Sequence, residues 1–154
     1  MGEVMLWIGL IGIVGCALVL SAIDIREHRL PNRIVGPLAG AVAVWLLVLG
    51  VANRDLERTG VAFLWGFAVM GIFFVLAIVA GLGMGDVKFA WPLAATIGWF
   101  GSAAVQTAML GLVVSGGIVG VIALAARRDT KFQLPYGPFM TIGLICGLLH
   151  GLSL

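Results

Sequence analysis

Charge is scarce in this sequence: 10% of its residues are Asp, Glu, Lys or Arg, against about 25% in an ordinary soluble domain. That shortage, set against 62% hydrophobic residues, excludes a water-soluble globule, because a chain this short has too little interior to hide them. The net charge is only +2, which gives no basic excess for a nucleic-acid partner. Cysteine is nearly missing too. Cys16 and Cys146 both lie in apolar runs, and no CxxC pair exists, so neither a zinc knuckle nor any other metal site is expected. Buried free thiols are the expected state of both. No cofactor is suggested either. Linkers, internal repeats and low-complexity tracts are absent, so residues 1–154 are expected to form a single membrane-embedded domain.

What is present is apolar length. A helix needs about 20 apolar residues to cross roughly 30 Å of hydrocarbon. Residues 4–23, 34–51, 61–80 and 103–126 meet that rule. Residues 87–100, which include Pro92, and residues 139–154 are shorter. The expected fold is an all-α integral membrane protein, a bundle of about six transmembrane helices. A re-entrant course for the fourth segment stays open where protein covers its backbone. "IVGC" at residues 13–16 is similar to a lipoprotein cleavage box. No basic residue precedes it and the apolar run continues beyond it, so it is read as part of a retained helix.

The connections alternate in charge. "DIREHRLPNR" carries Arg26, Arg29 and Arg33; "GLGMGDVK" carries Lys88; "RRDTKFQLPYGP" carries Arg127, Arg128 and Lys131. In "NRDLERTG", Arg54 and Arg58 are balanced by Asp55 and Glu57, and "GWFGS" has no charge. The excess of Lys and Arg on cytoplasmic loops then places the first, third and fifth connections in the cytoplasm and both termini outside. Asp24 and Asp86 fall together at the cytoplasmic boundary of a cell membrane. Ionisable groups at membrane depth are costly and mark function by default.

Two carboxylates brought together repel, and one of them keeps its proton. A water-activating acid/base pair has that form. Simpler readings exist for each residue. Asp86 follows a glycine-rich turn and suits the start of a helix, where aspartate is a favoured cap. Asp24 reaches the interface and can pair with Arg26 or Arg29. Small residues at spacing four (Gly36/Gly40, Gly116/Gly120, Gly143/Gly147, Gly147/Gly151) fit ordinary close packing of membrane helices. His28 reads as a solvated loop residue and His150 as a helix-to-helix hydrogen-bonding group. Trp7, Trp45, Trp65, Trp91 and Trp99 fit interface belts or core.

Three motifs together change the balance. "DIREHRLPNRI" resembles the prepilin peptidase pattern of an aspartate followed by proline and asparagine, here Asp24, Pro31 and Asn32. "GLGMGDVKF" resembles that family's GxGD motif, here Gly83, Met84, Gly85 and Asp86, with Lys88 after it. "LPYGPFMTIG" is similar to its third signature, with Pro135, Tyr136, Gly137 and Pro138 opening the last helix. The motifs occur in the family's order, and the resemblance covers essentially the whole chain. It implies an intramembrane aspartyl endopeptidase that removes the leader of type IV pilin-like precursors at the cytoplasmic face. Its substrates would be prepilins or pseudopilins, and its surroundings the lipid bilayer. By motif match, Asp24 and Asp86 would be the catalytic pair. Gly83 and Gly85 would allow unusual backbone conformations and close approach, and Met84 would contact the substrate. Pro31, Asn32, Lys88 and the Pro135–Tyr136–Gly137–Pro138 stretch would shape the site.

Larger members of that family carry an insertion with paired CxxC motifs and also methylate the new N-terminus. Between Ile23 and Ile34 only "DIREHRLPNR" is present, so a short, peptidase-only form is expected. Two competing readings remain. A small carrier or assembly factor would use the paired aspartates for cation or proton binding, although transporter sites lie nearer the midplane. A general GxGD protease would place its aspartates deep within a span. Oligomeric state is not legible.

Overall fold

A computed structural model describes residues 2–27, 30–126 and 135–153. Within them the chain forms six helices and no strand: α1 (Gly2–Glu27), α2 (Asn32–Asn53), α3 (Leu56–Ala80), α4 (Met84–Gly98), α5 (Ser102–Ala126) and α6 (Gly137–Leu152). The six expected segments fall on these six helices. Helices are the natural solution for such a chain, because each satisfies its own backbone hydrogen bonds without water. Four of them, α1, α2, α3 and α5, are long and apolar enough to cross a membrane. Large apolar side chains point outward along them. Ile11, Leu64, Ile78 and Val121 are all about two-thirds or more exposed, a surface that suits lipid and not water. His28, Arg29, Arg127, Arg128 and Lys131, which entered the charge pattern and its reading, lie outside the described residues.

α4 differs from the others. Its 15 residues reach only roughly 22 Å at 1.5 Å per residue. From Asp86 to Gly98 every residue except Lys88 is buried. α4 packs against α2, α3, α5 and α6, while α1 packs on α2 and α6. The shortest helix is thus the hub, and a helix covered by protein has no need of full bilayer length. Pro92 sits inside it without ending it. Thr96 donates its hydroxyl to the Pro92 carbonyl at 2.7 Å.

Helix ends depart from the apolar pattern in two instructive places. α3 begins at Leu56, ahead of the expected residue 61, because Asp55 accepts a 2.9 Å hydrogen bond from the Arg58 N–H and caps the helix. The polar "NRDLERTG" stretch is therefore mostly helix, and the turn is tight, with Arg54 left-handed at φ 55°. α1 runs on to Glu27, which places Asp24 inside the helix rather than at its end. Among the small-residue pairs, Gly143 and Gly147 fulfil the packing expectation. A Cβ at Gly143 would lie 2.7 Å from the Ala108 carbonyl oxygen of α5, and one at Gly147 2.8 Å from the Ala108 Cβ. Gly36 and Gly40 instead face open space. Both cysteines are free thiols.

Candidate active site

The C-terminal end of α1 and the N-terminal ends of α2, α4 and α6 meet at one end of the bundle. Asp24 lies one turn before the end of α1 and is only 4% exposed. Its Oδ2 accepts a 2.8 Å hydrogen bond from the backbone N–H of Gly137, the first residue of α6. A Cβ at Gly137 would stand 3.0 Å from that same oxygen. A side chain at this position would press on the carboxylate that the amide holds.

Asp86 occupies the first turn of α4 and is 9% exposed. Gly83 precedes that helix with extended backbone (φ −65°, ψ 136°) and accepts the Asp86 N–H at 3.0 Å. The left-handed backbone of this segment falls two residues earlier, at Gly81 (φ 72°), which ends α3. The expected backbone freedom therefore belongs to Gly81. Gly85 serves close approach instead. A Cβ there would lie 3.0 Å from the Leu30 Cβ and 3.1 Å from the Leu30 carbonyl oxygen. Leu30, buried in the connection after α1, is thereby seated directly on the glycine before Asp86. Asp24 and Asp86 are thus both buried at this end of the bundle, Asp24 against the start of α6 and Asp86 beside the connection that follows α1.

The remaining expected site residues surround this pair. Pro31 caps α2 and Asn32 opens it. The exposed Lys88 donates to the Asn32 Oδ1 at 3.3 Å, linking the first and second motifs across the site. Met84, 53% exposed, stands at the open start of α4. Pro135 and Pro138 are half-buried, and Tyr136 is partly exposed with its ring edge-on to Phe139. Among the described residues no group of three or more His, Cys, Asp or Glu gathers to hold a metal ion.

Two residues that sequence reasoning did not single out belong to this region. Ser21 and Thr141 face each other one turn below the Asp24–Gly137 contact, with their hydroxyl oxygens 2.6 Å apart. The signal was spacing: Ser21 precedes Asp24 by three residues on α1, and Thr141 follows Gly137 by four on α6. Each pair shares a helix face. The opposite end of the bundle holds Arg58, whose Nε donates to the Trp99 carbonyl and whose guanidinium lies 5.1 Å from the Trp99 ring centre. Two shielded carboxylates of like charge, one held by a backbone amide, suit either acid/base hydrolysis or the binding of a proton or cation.

Comparison with known proteins narrows this choice. The model of the type IV leader peptidase family matches residues 10–152. The "Prepilin leader peptidase/N-methyltransferase" of Burkholderia pseudomallei is 30% identical over 145 residues, which is 91% of this chain and 45% of the relative. The protein of the same name in Pseudomonas aeruginosa is 31% identical over 147 residues, covering 87% of this chain and 46% of the relative. That of Stutzerimonas stutzeri is 28% identical over 143 residues, with 87% and 46% covered. The chain thus spans about half the length of the curated relatives it matches. No solved structure gives a significant match.

Proposed function

The chain belongs to the type IV leader peptidase family, and on that footing we propose that it is an aspartyl endopeptidase that cleaves the leader from prepilin-type precursors. The observation that carries the reading is that two buried carboxylates from separate helices, Asp24 of α1 and Asp86 of α4, lie at the same end of the bundle. The protein is a multi-pass membrane protein, and the excess of basic residues around the aspartates supports a cytoplasmic site in the inner membrane. A single catalytic domain fits residues 1–154, with α4 as its common core.

The chemistry follows from the pair. One carboxylate is ionised and removes a proton from a water molecule as its oxygen adds to the scissile carbonyl carbon. The other is protonated and donates to the carbonyl oxygen. As the C–N bond breaks, the proton gained by the first carboxylate passes to the departing amine. The second carboxylate takes a proton back from a hydroxyl of the tetrahedral intermediate, so that the carbonyl re-forms and the pair returns to its starting state. The Gly137 amide holds one oxygen of Asp24, which fixes the direction in which that carboxylate is presented. Met84 and Lys88, exposed beside Asp86, are the side chains placed to meet the precursor. Pro31, Asn32, Pro135, Tyr136 and Pro138 form the walls around them. Gly85 lets the start of α4 lie against Leu30, and Gly83 leaves room beside the Asp86 carboxylate, where a Cβ would stand 3.0 Å from Oδ2. No metal or cofactor enters this mechanism, and no CxxC pair is available for the insertion that accompanies methyl transfer. The proposed activity is therefore peptidase without N-methyltransferase. Co-expression with a candidate prepilin tests it. Cleavage, seen as a mobility shift and as a new N-terminal sequence at the leader junction, is the expected result; an unprocessed precursor beside well-expressed enzyme would reject it.

A further inference from the structure

We propose that Ser21 and Thr141 are positioning residues for Asp24, a hydroxyl clamp that holds α6 against α1 in the one register where the Gly137 amide meets the carboxylate. The inference rests on the aspartyl-protease reading and adds to it a pair of residues that touch neither carboxylate.

Its geometry is a short ladder. On the upper rung Gly137 N–H donates to Asp24 Oδ2 at 2.8 Å. One turn along both helices, the Ser21 and Thr141 hydroxyls lie 2.6 Å apart, and each also reaches the Ala17 carbonyl oxygen, at 2.8 Å from Ser21 and 3.2 Å from Thr141. Two hydroxyl protons serve these contacts. One spans the Ser21–Thr141 pair, and the other goes to Ala17. The shorter Ser21–Ala17 contact favours Thr141 as donor to Ser21. All of this is dry, for Ser21 is 7% and Thr141 3% exposed. In such surroundings a directional bond resists sliding far more than apolar contact does, since apolar packing is non-directional. A shift of α6 by one residue along α1 is about 1.5 Å. It would carry the Gly137 amide out of bonding distance and leave Asp24 free to turn.

The hydroxyls also admit a clean test, because removing either leaves no orphan. With Thr141→Val, Ser21 keeps the Ala17 carbonyl; with Ser21→Ala, Thr141 keeps it. Neither change leaves a buried donor without a partner, so the fold should be retained. Wild type, Thr141→Val, Thr141→Ser, Ser21→Ala, the Ser21→Ala/Thr141→Val double variant and Asp24→Asn are purified as full chains. They are compared at matched thermal stability against a prepilin substrate. A misplaced catalytic group costs rate rather than ground-state binding, so Thr141→Val and Ser21→Ala should each lower kcat about tenfold with KM within about twofold. Thr141→Ser, which keeps the hydroxyl, should recover most of the rate. The double variant should be little worse than either single change, as expected of two halves of one contact. Wild-type kcat in Thr141→Val and Ser21→Ala overturns the clamp, while an inactive Asp24→Asn in the same series leaves the protease reading intact. Equal loss in Thr141→Val and Thr141→Ser overturns it as well, by tracing the effect to packing. A raised KM at constant kcat assigns the residues to substrate binding and overturns it. Full activity in Asp24→Asn removes the protease reading and the clamp together.

Discussion

Gly137 donates its backbone N–H to Asp24 across 113 positions of sequence, tying the start of the last helix to a carboxylate near the end of the first. The contact explains why a turn-forming glycine stands at that position. It also makes the third motif a partner of the first.

Gly137→Ala should therefore damage the site more than the size of a methyl group suggests. The new Cβ would face Asp24 Oδ2 at 3.0 Å and Asp24 Cβ at 3.1 Å. Overpacking of this kind costs about 1–3 kcal/mol. Prepilin cleavage should fall by about tenfold or more with the carboxylate displaced. Thermal melting and single-turnover cleavage measure the two effects. A variant as fast and as stable as the parent would show that the Gly137–Asp24 contact is dispensable.

Asp24→Asn and Asp86→Asn should each lower cleavage by at least about 10²-fold, since an amide serves as neither acid nor base. The double variant should be little slower than either single one, because residues that act as a unit are non-additive. Asp55→Asn is the control. It lies at the other end of the bundle, where asparagine caps α3 about as well as aspartate. Full processing by a well-expressed Asp86→Asn protein would leave the carrier or assembly-factor reading in its place.

The pair should also give a bell-shaped dependence of rate on pH. At low pH both carboxylates are protonated and no base remains; at high pH both are ionised and no acid remains. Initial rates in a constant-ionic-strength buffer series measure this. A profile that stays flat across the acidic and neutral range would exclude a shared-proton mechanism.

Topology follows from charge. Reporter fusions after Arg33 should read as cytoplasmic, and one after Arg58 as external, because Arg33 and Lys88 flank the aspartate end and Arg58 sits on Trp99 at the other. A cytoplasmic signal at Arg58 would reverse the assigned orientation.

Methyl transfer gives a separate test. Labelled S-adenosylmethionine incubated with the purified chain and cleaved pilin should leave the pilin unlabelled. Incorporation of label would restore the second activity named for the curated relatives.

Much of this architecture was legible in the sequence because membrane folding has few solutions. Apolar runs gave six helices, and the three motifs indicated which ends had to meet. Other features resisted reading for physical reasons. α3 reaches back through Asp55 because a side-chain cap offsets a polar first turn that hydropathy counts against a helix. α4 is too short to span by itself, and only the fold shows that protein surrounds it. Ser21 and Thr141 were missed because hydroxyls in membrane helices usually bond to their own backbone. Ser21 does bond locally, to the Ala17 carbonyl, but Thr141 reaches that carbonyl and the Ser21 hydroxyl only because α6 is seated on α1. Gly83 and Gly85 were read as sources of backbone freedom and close approach; the positive φ falls at Gly81, while close approach is found at Gly85, against Leu30, and at Gly83, against the Asp86 carboxylate.

The central position of α4 also has a consequence for when the protein becomes competent. A helix carrying Asp86, Lys88 and Pro92 enters hydrocarbon reluctantly on its own. Its most extensive partner is α3, joined to it by a three-residue connection, so the two are suited to insert as a hairpin. Asp24 is synthesised well before them, and Gly137 and Thr141 well after. A nascent chain therefore holds one carboxylate, then two, with nothing to orient the first until α6 arrives and closes on α1. On the proposed chemistry, hydrolytic capacity is withheld throughout synthesis of these helices and begins when the last of them closes on the first.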